Sequence, residues 1–276
     1  MAEDTLVPGT STVATPNSLS KDDLKDALNA GWTDFKAEPA YGVFFALVYV
    51  LGGLGLWFGL GAAGQPVWFI PIAAGFPLFA PFAAVGLYEV SRRREAGEKL
   101  SWGPVLSALK GKGDGQLALM AVTTLLIFGF WIILARGIFA IFMARTGIGF
   151  ESLGLLWSAG GVTMLLIGSI VGAVVALFLF SITVISLPLL LDREVDFVTA
   201  MITSVETVRR NPQVMLTWAA VIAGLLIAAM IPAFLGLFLV LPVLGHATWH
   251  LYRRAIPAVT IATPTTPSLM IAMSMT

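Results

Sequence analysis

The chain has 276 residues, of which 58% are hydrophobic and only 12% charged, and its formal net charge is zero. A water-soluble domain carries about 25% charged residues, so an ordinary soluble fold is excluded, and a neutral chain offers no general attraction to nucleic acid. The absence of cysteine excludes a disulfide framework and any thiolate metal site.

Residues 1–18 have neither the basic nor the apolar stretch of a cleaved signal peptide, and they are expected to form a disordered tail. An amphipathic helix follows, with Leu24, Leu28, Trp32 and Phe35 at helical steps. Pro39–Tyr88 then runs 50 residues without Asp, Glu, Lys or Arg. A bilayer core of about 30 Å needs about 20 apolar residues per helix. The run therefore predicts two spans, 42–62 and 67–89, divided at Gly64–Val67.

A second stripe, Trp102, Val105, Leu106 and Leu109, precedes a third span at 117–135. Arg136 follows it directly. An arginine at mid-bilayer costs at least ~2.5 kcal/mol on insertion scales, so Arg136 is expected at the outer interface, with 137–150 as a surface segment. There snorkelling removes most of the cost. The uncharged run Ser152–Leu191 predicts a fourth span at 160–187. A third stripe (Phe197, Val198, Met201, Ile202, Val205, Val208) should face lipid headgroups or the spans, leaving Thr203 on the polar side. Asn211–Tyr252, also uncharged, splits near Pro232 into spans at 213–231 and 234–252. The membrane domain is thus expected over 19–255, with a second disordered tail at 256–276.

Charge sets the orientation. Six spans with a cytoplasmic N-terminus put 14 basic residues inside and only Arg136 and Arg145 outside. Two spans in Ser152–Leu191 would give 9 to 7, so the positive-inside rule favours six, with both termini cytoplasmic. Each amphipathic stripe also closes alike: an apolar residue (Phe35, Leu109, Val208), a basic one, then a breaker (Pro39, Gly113, Pro212). This suggests three related helix-plus-hairpin units.

Few residues carry chemistry. Gly59–Gly64 fits GxGxxG, but a membrane helix ends there, whereas a dinucleotide fingerprint needs a preceding strand and a following helix. The ladder Gly55, Gly59, Gly161, Gly168, Gly172 and Ala176 suits close helix packing in lipid. No nucleophile elbow, zinc-protease helix or phosphate-binding lysine loop occurs. Both histidines, His246 and His250, lie one turn apart. That spacing could clamp a metal or hold a haem, but a metal would need a further ligand, for which Asp192 and Glu89 are the candidates. The bracketing Trp249, Tyr252, Arg253 and Arg254 are the usual anchors of a membrane interface. The expectation is an anchor with no metal and no cofactor, leaving Arg136, Asp192, His246 and His250 as the candidate functional polar residues.

Two segments, "SLPLLLDREVDFVTAMITSVETVRRNPQVMLTWAA" (186–220) and "LPVLGHATWHLYRRA" (241–255), resemble the proteobacterial membrane-protein family catalogued as domain of unknown function 2189. The resemblance extends over roughly residues 25–255 and implies an inner-membrane protein without an established biochemical role. Some members carry the label cytochrome c oxidase subunit I, which two histidines on one helix do not support as chemistry.

The fold expected is therefore all-α, a polytopic bundle of six spans in three hairpins, each preceded by a cytoplasmic-side amphipathic helix. The function expected is non-enzymatic, an accessory or organising factor, with association to a respiratory complex left open. A small-solute channel or transporter, and a haem or metal protein using His246 and His250, are the alternatives. The partners expected are the lipid bilayer and another membrane protein or a second copy, with no nucleic acid.

Overall fold

The computed structural model describes residues 15–75, 80–143 and 153–257. Most of both tails (1–14 and 258–276), and residues 144–150 of the expected surface segment, lie outside the described residues. Eleven α-helices, and no strand, occur among the described residues: α1 (Lys21–Ala37), α2 (Pro39–Ala62), α3 (Phe69–Gly75), α4 (Ala80–Glu95), α5 (Trp102–Ala108), α6 (Gln116–Met143), α7 (Ala159–Thr183), α8 (Ser186–Asp192), α9 (Phe197–Arg210), α10 (Pro212–Met230) and α11 (Leu237–Ala255). Four stretches are long and apolar enough to cross a membrane: α2, α6, α7 continued by α8, and α10.

Local chemistry sets the boundaries. Ser20 caps α1 with a capping box: its hydroxyl accepts from the Asp23 N–H, and the Asp23 carboxylate accepts from the Ser20 N–H at 2.8 Å. Ser158 and Asp196 cap α7 and α9 with a side-chain oxygen, accepting from the Gly161 and Thr199 N–H groups. Two of the three repeated endings share one geometry. Glu38 (φ −133°, ψ 56°) separates α1 from α2, Asn211 (φ −123°, ψ 49°) separates α9 from α10, and a proline opens the following helix each time. The second unit departs from this, because α5 has only seven residues and leads into turns where Gly111, Gly113 and Gly115 take positive φ. Only glycine adopts that backbone without strain.

α11 is the centre of the molecule. It packs against α1, α2, α4, α8 and α10, and Trp249, Leu251, Tyr252 and Ala255 on it are fully buried. α1 lies so close that a Cβ on Gly31 would fall 2.5 Å from the Ala247 nitrogen. The hairpin of α6 and α7 forms a second unit, joined to the first chiefly through α8 and α9.

The folded part reaches beyond the expected limits of 19–255. The Asn17 N–H donates to the Ala255 carbonyl at 2.8 Å and its side chain to the Arg254 carbonyl at 2.9 Å. Asn211 accepts from the Leu19 N–H and donates to the Asn17 carbonyl. Ile256 is 1% exposed, and the Pro257 carbonyl accepts from Arg193.

α9 departs from the expected faces on its polar side, where Thr203 turns inward. Ala200, Thr203, Ser204 and Thr207 are buried, whereas Val198 is 45% and Ile202 63% exposed. Met201, Val205, Phe197 and Val208 are partly buried against the apolar clusters. Hydroxyls turn inward because each can bond backbone: Thr203 and Thr207 donate to carbonyls four residues earlier, and Ser204 accepts from the Ile185 N–H. Thr203→Asp is therefore expected to lower the amount of folded protein in membranes several-fold, since it buries an unpaired charge. Ile202→Ala should leave it nearly unchanged. Equal accumulation of the two variants would refute this assignment of faces.

Candidate functional site

One end of the bundle gathers nearly all of the well-paired charge, and its centre is a buried polar cluster contributed by three helices. α1 supplies Asp34 (6% exposed), α4 supplies Ser91 (0%) and Arg94, and α11 supplies His246 (0%) and His250. The Ser91 hydroxyl donates to Asp34 Oδ2 at 2.6 Å. That hydroxyl has one proton, so its 2.8 Å contact with His246 Nδ1 makes Nδ1 the donor and serine the acceptor. His250 Nε2 donates to Asp34 Oδ2 at 2.8 Å, and Arg94 Nε donates to Oδ1 at 2.9 Å. Burial pushes the Asp34 carboxyl up, but the bonds from His250, Ser91 and Arg94 and the neighbouring charge of His250 outweigh it, holding the carboxyl at about 2.

The wiring differs from that of a hydrolase. A nucleophilic triad places histidine between carboxylate and serine, so that the imidazole takes the serine proton. Here serine stands between the carboxylate and His246, directs its proton to Asp34, and is fully buried. The arrangement is suited to clamping α1 and α4 onto α11.

A second group surrounds the first. Trp249 Nε1 donates to Glu95 at 3.1 Å, and Arg253 Nε donates to the same carboxylate at 3.0 Å. The Tyr252 hydroxyl donates to Asp192 at 2.6 Å, with Arg253 3.5 Å from the same oxygen. Arg254 bridges to Asp23 at 2.9 Å and Asp26 at 3.2 Å on α1. Trp249 and Tyr252, expected as lipid-interface anchors, are instead fully buried inside the protein. Their polar atoms meet carboxylates rather than headgroups. His246 is likewise interior, and Arg253 and Arg254 are partnered within the chain.

The two histidines bond different partners within the cluster around Asp34. His250 is committed to Asp34 and His246 to Ser91, and no group of three or more His, Asp or Glu residues among those described could hold a metal ion. Glu89, the other carboxylate weighed as a ligand, is occupied by Arg92 and Arg93. Asp192 joins the tyrosine group, and Arg136 stands apart from both clusters, its guanidinium 5.5 Å from the Trp68 ring centre. α6 runs through Arg136 to Met143 instead of stopping at residue 135. Twenty residues of helix rise about 30 Å, so Arg136 is about one bilayer core away from the Gln116 end.

Asp34, Ser91, Arg94 and Glu95 were not among the sequence candidates. The signal for Asp34 was present, because Leu24, Ala27, Gly31 and Asp34 also recur at helical steps, one position before most of the apolar stripe. Small residues in line with a carboxylate mark the face that meets another helix.

The family described as a predicted integral membrane protein, domain of unknown function 2189, matches residues 69–192. It is the family that the sequence resembles, although the two segments carrying the resemblance lie mostly beyond the matched residues. The chain matches no curated protein and no solved structure.

Proposed function

We propose that this integral membrane protein is a non-enzymatic accessory or organising factor of a bacterial inner membrane, crossing it six times with both termini in the cytoplasm. The observation that carries the reading is the pairing at the charged end of the bundle. Asp34, Glu89, Glu95 and Asp192 are all engaged by donors of the same chain. A solute path or an acid–base centre needs an uncommitted polar group facing a cavity, whereas the carboxylates of this network fix helices to one another. His246 Nε2, its one buried nitrogen without a partner among the described residues, belongs to a residue that lines neither of the two best-formed cavities. The two crossings beyond the four apolar stretches would be α3 with α4, and α11. The polar residues of α11 lower its mean hydropathy, yet Thr248, Trp249, His250, Tyr252 and Arg253 have partners inside the protein.

Two measurements test this. Reporter fusions after residues 36, 112, 210 and 255 should all read cytoplasmic, and one near residue 148 periplasmic; any reversal refutes the six-span arrangement. Native electrophoresis of membranes solubilised in mild detergent should show the chain in an assembly well above its 29.3 kDa monomer. A monomer throughout, together with uptake of a small solute into proteoliposomes, would replace the accessory reading by a transporter.

A further inference from the structure

Between the two helical units lies a half-open cavity of about 700 Å³, walled by α3, α4, α7, α10 and α11. Ligand pockets typically occupy about 300–1,000 Å³, so this one is ligand-sized. It exists because the facing positions are small: Ala84 on α4, Ala173 and Ala176 on α7, and Ala219, Ala220 and Ala223 on α10. α7 thereby stands off from the core where larger side chains would have filled the gap.

Three hydroxyls interrupt the apolar wall. Thr183 and Thr248 each donate at 2.8 Å to the carbonyl four residues earlier, leaving only lone pairs for a ligand. Tyr88 is different. It is 4% exposed and lines the cavity, and among the described residues nothing hydrogen-bonds its hydroxyl. A phenol held in an apolar cavity without a partner is costly, so an acceptor is wanted there. Tyr88 and Thr248 sit near the charged end of the bundle, one turn before Arg92 and Tyr252 respectively, while Phe69, Ile227 and Met230 line the other end. From Ala219 to Met230, α10 alone rises about 16 Å.

We propose that this cavity binds a long apolar chain that ends in a carbonyl, with the carbonyl accepting from Tyr88 and the chain lying between α7 and α10. The proposal goes beyond the accessory reading and stands without it. Two sources supply the chemistry: an acyl ester of the bilayer's own glycerolipids, whose carbonyls lie at headgroup depth, or the ring carbonyl of a prenylated quinone.

The test is photolabelling of the full chain, reconstituted in vesicles, with a diazirine-bearing phosphatidylglycerol in one arm and a diazirine-bearing prenyl quinone in the other. The bound site is read by peptide mass spectrometry. In at least one arm, labelling of α7 and α10 peptides should exceed by fivefold or more that of the α6 peptide carrying the lipid-facing Leu126, which is 70% exposed. The arm that labels identifies the source. Ala223→Phe should remove the excess, and Tyr88→Phe, which deletes only the hydroxyl, should reduce it about threefold to tenfold. Labelling no stronger than at Leu126, an excess that persists in Ala223→Phe, or one that Tyr88→Phe leaves undiminished, overturns the proposal. Ala223→Phe counts only if it elutes from size exclusion like the wild type. Tyr88→Phe decides the matter alone otherwise.

Discussion

Asp34→Ala is expected to destabilise the folded protein by about 3–5 kcal/mol, the usual cost of removing one partner from a buried charge pair. Ser91, His250 and Arg94 all donate to this one carboxylate, so its loss leaves three donors from two helices without an acceptor. Thermal unfolding of the purified protein in detergent, followed by tryptophan fluorescence, should show a drop of many degrees. The same carboxylate predicts an acid response. Its folded value of about 2 lies below the ordinary 3.8, so its contribution is fully present above about pH 4. That contribution is lost as pH falls through about 2, and it amounts to about 2 kcal/mol. Wild type should lose stability over that window more steeply than Asp34→Ala. Parallel acid profiles would mean that Asp34 is not the charged centre of the clamp.

Gly31→Ala is the second large effect. The added Cβ would lie 2.5 Å from the Ala247 nitrogen, 2.7 Å from the Val243 carbonyl oxygen and 2.9 Å from the Ala247 Cα, all backbone atoms of α11. Backbone cannot swing aside as a side chain can, so α1 must lift off. Overpacking of this kind costs about 3 kcal/mol. Gly55→Ala provides the control, since nothing lies within 4 Å of its Cβ position. The ratio of folded protein recovered from membranes, Gly31→Ala against Gly55→Ala, should fall well below one. A ratio near one would show that α1 does not rest on α11 at this distance.

Apolar length was legible because the bilayer imposes it. The span expected at 42–62 lies within α2, that at 160–187 corresponds to α7 and the turn after it, and that at 213–231 to α10. Faces were much harder to read. In water an apolar stripe marks the inside of a protein, but lipid tails are as apolar as leucine. Part of a stripe, as Val198 and Ile202 of α9, can therefore be left facing out while Thr203, Ser204 and Thr207 turn in. The polar cluster was hidden for another reason. His250 finds Asp34 across 216 positions of sequence and Trp249 finds Glu95 across 154, so neither contact leaves a local pattern. An aromatic and arginine-rich helix end reads the same whether carboxylates or headgroups await it. α11 shows that composition at a helix end does not reveal which.

The seat of α1 on α11 also imposes an order of assembly. The Asp23 carboxylate, made near the start of synthesis, has its ion-pair partner Arg254 231 positions later, and Asn17 waits longer still for the carbonyls of Arg254 and Ala255. While the ribosome works through the intervening helices, α1 lacks the helix that covers Gly31, although Ser91 and Arg94 of α4 are made early enough to meet Asp34 first. Its docking is therefore a late event that only a finished chain can perform. A chain cut short before α11 would leave the Gly31 face of α1 open to quality-control proteases. The first helix thus reports whether the last one has arrived.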